Sequence, residues 1–212
     1  MYIQTTENNL ILTILKQLQS SEPVAFGGFS ELHVLNNKAV KILEDTSYRD
    51  VLEECHKQNI AAKAGLAPQV HAVANLIEET VVVMDVIDDY EWFHPDVMDD
   101  HAPTLLGELN VDQMEIGLKL YCGLLKAGIV HADFHSGNWF MNDEGEAIAI
   151  DFGISSELHE APKKHIKRAV MFMLPALEQL GYDALASDLY DAWTVHYEVA
   201  REELSRIANI IV

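Results

Sequence analysis

From position 131 the chain reads His131-Ala132-Asp133-Phe134-His135-Ser136-Gly137-Asn138, and Ile150-Asp151-Phe152-Gly153 follows at a short interval. Phosphoryl transfer from a magnesium nucleotide needs one carboxylate beside the attacking hydroxyl, plus oxygen ligands for the metal that bridges the phosphates. Asp133 is of the type for the first task, and Asn138 and Asp151 for the second. Either stretch alone is weak, because such triplets arise by chance in acidic loops. What joins them carries more information. Trp139-Phe140-Met141, then Asn142-Asp143-Glu144-Gly145, then Ala147-Ile148-Ala149-Ile150 read as strand, tight turn, strand. Such a hairpin brings Asn138 and Asp151 to the same end. The plainer alternative is a hairpin whose ends are merely polar.

H-x-D-x-x-x-x-N followed by D-F-G resembles the catalytic and metal-binding loops of the protein-kinase-like superfamily, which includes protein kinases and the small-molecule phosphotransferases related to them. The resemblance runs from about Phe26 to about Gly153 and fades beyond. It implies an α+β, two-lobed protein-kinase-like fold, with a small antiparallel-sheet N-lobe bearing one main helix and a reduced helical C-lobe. The implied organisation is one kinase-like domain over residues 1–212, divided at 86/87. The implied cofactors are ATP and Mg2+, with Asp133 positioning or deprotonating the acceptor hydroxyl and Asn138 and Asp151 binding the metal. One departure matters. Ordinary serine/threonine kinases carry a lysine two residues after the catalytic aspartate, where this chain has His135. The H-x-D-x-H-x-x-N form is more familiar from aminoglycoside- and choline-kinase-like enzymes and from assorted bacterial and viral kinases.

The elements that must position these groups begin with a helical stripe, Leu10, Ile11, Ile14, Leu15 and Leu18, read as a leading helix packed on the small lobe. Phe26-Gly27-Gly28-Phe29-Ser30, alternating Leu32 and Val34, Asn36-Asn37, and Ala39-Val40-Lys41-Ile42-Leu43 form a hairpin signature behind a glycine pair. The full G-x-G-x-x-G of kinases is absent. Gly27, Gly28 and the Ser30 hydroxyl are what remain to lie over the phosphates. Lys38-Ala39-Val40-Lys41 resembles V-A-I-K, in which the small residue roofs the adenine and the lysine reaches the phosphates. Alternation puts Lys41 and Ala39 on one face, and a buried lysine there needs a counter-charge. Glu53 and Glu54, on a helix from about Tyr48 to Ala64 with Val51, Leu52, Cys55, Asn59 and Ala62 on one side, both qualify. Glu54 is favoured. Val70 to Ala74 and Thr80 to Ile87 read as two antiparallel strands, the second apolar enough for burial on both faces. The resemblance puts Met84 behind the adenine, the backbone of Asp85 and Ile87 on its edge, and Phe140 in the nucleotide-binding set.

Asp85 to Asp100 is strongly acidic. It reads as a solvated linker or as a rim favouring a basic peptide or a cationic small molecule. Its histidine–carboxylate groupings match no closed metal set. Asn110 with Gln113 marks a helix start, with Met114, Leu118, Tyr121 and Leu125 forming its stripe and Gly128 its end. His131 reads as structural. From Gly153 to the next helix only about ten residues intervene, and no A-P-E follows, so a phosphorylation-switched activation segment has no room. Lys163-Lys164-His165-Ile166-Lys167-Arg168 is the one basic cluster; it balances the acidic loops or touches an acidic partner. Val170 to Leu180 and Tyr182 to Ile211 read as helices, with Pro175 a kink and Gly181 a break.

The 212 residues carry 34 acidic against 14 basic side chains, a formal charge of −20. That argues against broad nucleic-acid contact and fits solubility or a cationic partner. Leu10 to Leu15 is too short to span a bilayer and lacks signal-peptide flanks. Cys55 and Cys122 suggest no disulfide framework. The expectation is a cytoplasmic protein with no membrane partner; no oligomeric state is assigned. The leading reading is a minimal serine/threonine kinase acting on a protein substrate, resembling compact kinases of bacteriophages or bacterial effectors. The alternatives are a small-molecule phosphotransferase, for which His135 speaks, a non-catalytic binding module, and an AMP-transferring relative.

Overall fold

The computed structural model describes residues 2–5, 8–27, 30–77, 79–87, 91–92 and 109–212. Six strands, β1 (Tyr2–Thr5), β2 (Ala25–Gly27), β3 (Ser30–Leu35), β4 (Lys38–Glu44), β5 (Val70–Asn75) and β6 (Glu79–Asp85), form one antiparallel sheet in the order β1-β5-β6-β4-β3-β2. Asn36 and Asn37 join β3 to β4, both in the left-handed region at φ 54° and 57°. A two-residue type I′ connection requires that conformation, and asparagine enters it more readily than most residues.

Both faces of this sheet are covered. Ile11 and Ile14 of α1 (Asn8–Leu18) pack with Val40, Ala72, Ala74, Val81 and Val83. On the other face Val51 and Cys55 of α2 (Tyr48–Lys63) pack with Leu43, Val70, Val73 and Val82. The side chains of β6 therefore alternate between two apolar layers, which explains its unbroken apolar run. Each fully buried valine contributes about 1.5–3 kcal/mol by leaving water. The same parity decides which residues can serve a site: β4 pairs with β6 as Ala39↔Met84 and Lys41↔Val82, so Ala39, Lys41 and Met84 share the α2 face. β1 was not expected from the sequence; it precedes α1 and pairs with β5 from Tyr2↔Asn75 to Thr5↔Ala72.

The inward residues of α2 are Val51, Cys55, Gln58 and Ala61, which corrects the stripe ending at Asn59 and Ala62. Asn59 sits at the margin because its Oδ1 accepts from Gln69 Nε2 at 2.6 Å and from Val70 N–H at 2.8 Å, tying the helix to the start of β5.

The helical lobe is built round α3 (Val111–Lys126), which buries Met114, Leu118, Tyr121 and Leu125 and, in its second half, Leu120, Cys122, Gly123 and Leu124 as well. Asn110 Oδ1 accepts from Gln113 N–H at 3.0 Å, and Gln113 Oε1 accepts from Asn110 N–H at 3.2 Å, a reciprocal cap. Gly128, at φ +88°, ends the helix. Three strands were not foreseen here: β7 (Glu91–Trp92), which joins β9 (Trp139–Met141) and β10 (Ala147–Ala149) in a three-stranded sheet, and β8 (Ile129–Val130) with its partner β11 (Ser156–Glu157). Helices α4 (Lys163–Gln179), α5 (Asp183–Val195) and α6 (Tyr197–Ile211) close the lobe. The stretch read as one helix from Tyr182 to Ile211 is two, broken at His196, whose backbone is extended and whose Nδ1 accepts from Glu198 N–H. Among the described residues no helix is long and apolar enough to cross a membrane.

Candidate active site

Lys41 leaves β4 on the α2 side, and its Nζ lies 3.5 Å from Glu54 Oε1. Both side chains are mostly buried, Lys41 at 23% exposure and Glu54 at 17%. Glu53 points the other way, into an exposed pair with Arg49 one turn earlier at 3.0 Å. Helix phase thus selects between the two glutamates. Beside Glu54, burial and the neighbouring carboxylate push the Cys55 thiol up to about 12, Lys41 opposing, so it stays a neutral packing group.

The Lys41–Glu54 pair sits in the wall of a cavity of about 510 Å³ between the lobes. Of the residues nominated from the sequence, Ser30, Ala39, Lys41, Glu54, Met84, Asp85, Ile87, Phe140 and Asp151 line it. Gly27 ends β2 opposite Ser30. Gly28 lies outside the described residues. Leu32 and Val34, Val24 and Ala25, Gln58 and Ile150 also line the cavity and were missed. Strand parity could have found two of them, because Leu32 pairs with Lys41 and Val34 with Ala39. Val34 is 46% exposed, an apolar side chain facing an opening. Gln58, one turn beyond Glu54, is buried and donates Nε2 to Pro68 O at 2.8 Å.

At the end of β6 the Asp85 N–H donates to Gln69 O at 3.0 Å. The resemblance put the Asp85 backbone on the adenine edge; its N–H is taken up here by Gln69. Its carboxylate is held by Lys38 Nζ at 2.8 Å and His71 Nε2 at 2.6 Å. Burial pushes that carboxyl up, but those two hydrogen bonds and the charges behind them outweigh it and hold it below the usual range.

The second half of the site is fastened by His131. Its Nε2 lies 2.8 Å from Ile150 O, and its Nδ1 accepts from Asp133 N–H at 3.4 Å. The ring packs edge-on against Phe134 and Phe152. Burial keeps it below its ordinary pKa; the Ile150 carbonyl and the Asp151 and Asp133 charges only partly oppose this. A neutral ring with Nε2–H donating fits both bonds. One buried imidazole therefore spans the Asp133 loop and the Asp151 loop. Ile150 N–H donates to Asn138 O at 2.9 Å, closing the base of the β9–β10 hairpin.

Asn138 is buried, and its Nδ2 donates to Asp133 O at 2.9 Å. Asp133 is 42% exposed, with its Oδ2 3.7 Å from His135 Nε2 and its Oδ1 3.7 Å from Arg168 Nη1. Arg168 also donates to Ala132 O at 2.9 Å. Asp151 is exposed to the cavity at φ 58°, a costly conformation for a residue with a side chain. A Cβ built on Gly153 would stand 3.4 Å from Asp151 Oδ1 and 3.5 Å from Glu54 Oε2. The Lys41 pair and the Asp151 carboxylate therefore meet at one place. Among the described residues no lysine or arginine pairs with Asp151. Three or more His, Cys, Asp or Glu side chains gather nowhere in a metal-holding group among those residues. Asn138 Oδ1 with one carboxylate is instead the kind of sparse oxygen set that suits magnesium shared with phosphates. The acidic stretch from Asp88 to Asp100, with His94 and His101, lies outside the described residues except for the backbone of β7.

Residues 54–178 match the ABC1 atypical kinase-like domain. A curated relative, serine/threonine-protein kinase fray2 of Dictyostelium discoideum, is 28% identical over 180 residues, 78% of this chain. The chain spans 17% of that protein's length. Among solved structures, WaaP in complex with acyl carrier protein superposes with a TM-score of 0.57 at 14% identity, covering 100% of this chain and 99% of that one. That last likeness is one of fold.

Proposed function

The chain belongs to the ABC1 atypical kinase-like domain family and is a kinase-like phosphotransferase domain; from this we propose that it transfers the γ-phosphoryl group of ATP to a serine or threonine hydroxyl of a protein, with magnesium as cofactor. One observation carries the reading. Lys41, Glu54 and Asp151 converge on the interlobe cavity, and the Asn138–Asp133 pair is one backbone hydrogen bond away from its floor.

Lys41 orients the α- and β-phosphates, and Glu54 holds the ammonium in place. Ala39 and Phe140, which line the cavity, would flank the adenine, with Asp85 and Ile87 toward its edge. Asn138 Oδ1 and Asp151 would hold magnesium, which would supply charge neutralisation at the phosphate oxygens. Asp133 receives the acceptor's hydroxyl proton. The acceptor oxygen bonds to the γ-phosphorus as the bond to the β–γ bridging oxygen breaks, and ADP leaves with the electron pair. The short path from Gly153 to α4 supports an enzyme without activation-segment phosphorylation. His135 favours a second reading, a small-molecule acceptor.

Incubation with γ-labelled ATP and a protein extract, beside a panel of aminoglycosides and sugars, tests the acceptor. Label on protein serine or threonine is the expected result. Label entering only small molecules overturns the protein-kinase reading, and transfer from α-labelled ATP alone overturns phosphoryl transfer itself.

A further inference from the structure

The acceptor side of this site is short of positive charge. Lys41 stands on the phosphate side, paired with Glu54. Within the loop from His131 to Asn138 the only residues able to become cationic are His131 and His135. Neither is a permanent cation, and His131 is buried with its two ring nitrogens engaged by the Ile150 carbonyl and the Asp133 N–H. Yet negative charge spreads over the oxygens of the moving phosphoryl group and must be met by fixed donors.

One permanent cation touches Asp133 among the described residues, and it comes from another element. Arg168 rises from α4, whose buried Ile166, Ala169 and Val170 anchor that turn in the core. Its Nη1 is fixed by the Ala132 carbonyl at 2.9 Å and stands 3.7 Å from Asp133 Oδ1. The guanidinium cannot lose its proton and presents donors in a planar fork. With Nη1 facing the loop, Nε and Nη2 remain, on a side chain 49% exposed. Asp133 must come within hydrogen-bond reach of the attacking oxygen to act as base, which brings the guanidinium edge to the side of the transferred group.

We propose that Arg168 is a catalytic residue that supplies the acceptor-side positive charge missing from the Asp133 loop, contacting the phosphoryl group in transit while holding Asp133 in place. This rests on the phosphotransferase reading above. It assigns a role in transfer to one member of a basic cluster otherwise read as surface charge.

The test compares wild type with Arg168→Gln, Arg168→Ala and the double variant Arg168→Ala/His135→Lys, with Lys167→Ala as a control at an exposed neighbour. Readouts are kcat, ATP affinity by thermal shift, and affinity for ADP with aluminium fluoride, a planar mimic of the transferred group. Arg168→Gln keeps a donor for the Ala132 carbonyl and guards against simple misfolding. A loss of about a thousandfold in kcat and in aluminium-fluoride affinity is expected, the low end for an arginine acting on a transferred phosphoryl group. ATP affinity should stay within about threefold and Lys167→Ala at wild-type values, with His135→Lys recovering at least about tenfold of the loss, as a lysine serves phosphate as a point charge. If Arg168→Gln transfers and binds the mimic like wild type, the role of Arg168 is overturned and the phosphotransferase reading stands. If wild type binds neither ATP nor the mimic, both fall.

Discussion

Glu54→Gln separates holding the phosphates from holding the fold. At 3.5 Å the attraction between Lys41 and Glu54 is about 5 kcal/mol at an effective dielectric near 20. Desolvation of both groups and their residual exposure reduce this to a net of about 1–3 kcal/mol. Stability should change by less than that, because Glu54 Oε2 and Asp151 Oδ1 approach the same point beside Gly153. Removing the Glu54 charge relieves that repulsion while it releases Lys41. The expected melting change without nucleotide is therefore small, within about 1 kcal/mol, or roughly 2–4 °C for a chain of this size. Function has no such compensation: a wandering Lys41 loses about 10- to 100-fold in kcat/KM for ATP, the kinetic equivalent of that net energy. Steady-state ADP production and thermal melts with and without Mg·ATP measure both quantities. Glu53→Gln, whose partner Arg49 is exposed, should leave both unchanged. Glu54→Gln turning over ATP within threefold of wild type, or Glu53→Gln damaging it equally, would refute the assignment.

Asp133→Ala should reduce phosphoryl transfer by at least about 10²-fold, the usual scale for a positioned base, while ATP-induced stabilisation in a thermal shift remains. Asp151→Ala should instead remove the magnesium dependence of that stabilisation, and titrating Mg2+ at fixed nucleotide distinguishes the two variants. Burial lowers the pKa of His131, His135 and His165 from 6.5. The unfolded chain then takes up protons before the folded chain does, so stability is full above about pH 6.5 and falls as pH drops below it. A urea midpoint that is flat from pH 8 to 7 and declines from 6.5 to 5 is expected, and His165→Asn should make the decline shallower.

The half of the site built by local pattern was legible in the chain. The Asn138–Asp151 hairpin, the Asn110–Gln113 cap and the parity that puts Ala39 and Lys41 on one face all follow from neighbours a few residues apart. Even the choice of Glu54 over Glu53 had a local signal, since Arg49 lies one helical turn before Glu53 and pairs with it on the exposed side. What could not be read depends on pairing across long intervals. Asp85 gives its N–H to Gln69 because β5 and β6 share a register with an irregularity between Val70 and Ala72, and its carboxylate meets Lys38 from a third strand. β1 has no alternation of its own strong enough to announce a strand and becomes one through its pairing with β5. Arg168 read as a member of a charged helix turn, because nothing near it in sequence reveals that Ala132, 36 residues earlier, presents a carbonyl to it.

The geometry of the two loops then reduces to the state of one ring. A neutral His131 accepts from the Asp133 amide and faces the Ile150 carbonyl, so the base and the residue preceding Asp151 are fixed to each other through an imidazole. A protonated ring has no acceptor nitrogen. It would turn the Asp133 N–H contact into two donors facing each other in a buried place, where each unmet group costs about 1–3 kcal/mol. Phe134 and Phe152 pack edge-on against the imidazole, and Tyr121 OH donates to the His131 backbone carbonyl at 3.2 Å, so ring and backbone are both held. The surroundings that keep the ring neutral are therefore the same ones that align Asp133 with Asn138 and Asp151. On the phosphotransferase reading proposed above, the apolar core of the helical lobe would act on transfer through the protonation state it imposes on His131, while the chemistry itself would belong to the carboxylates on either side.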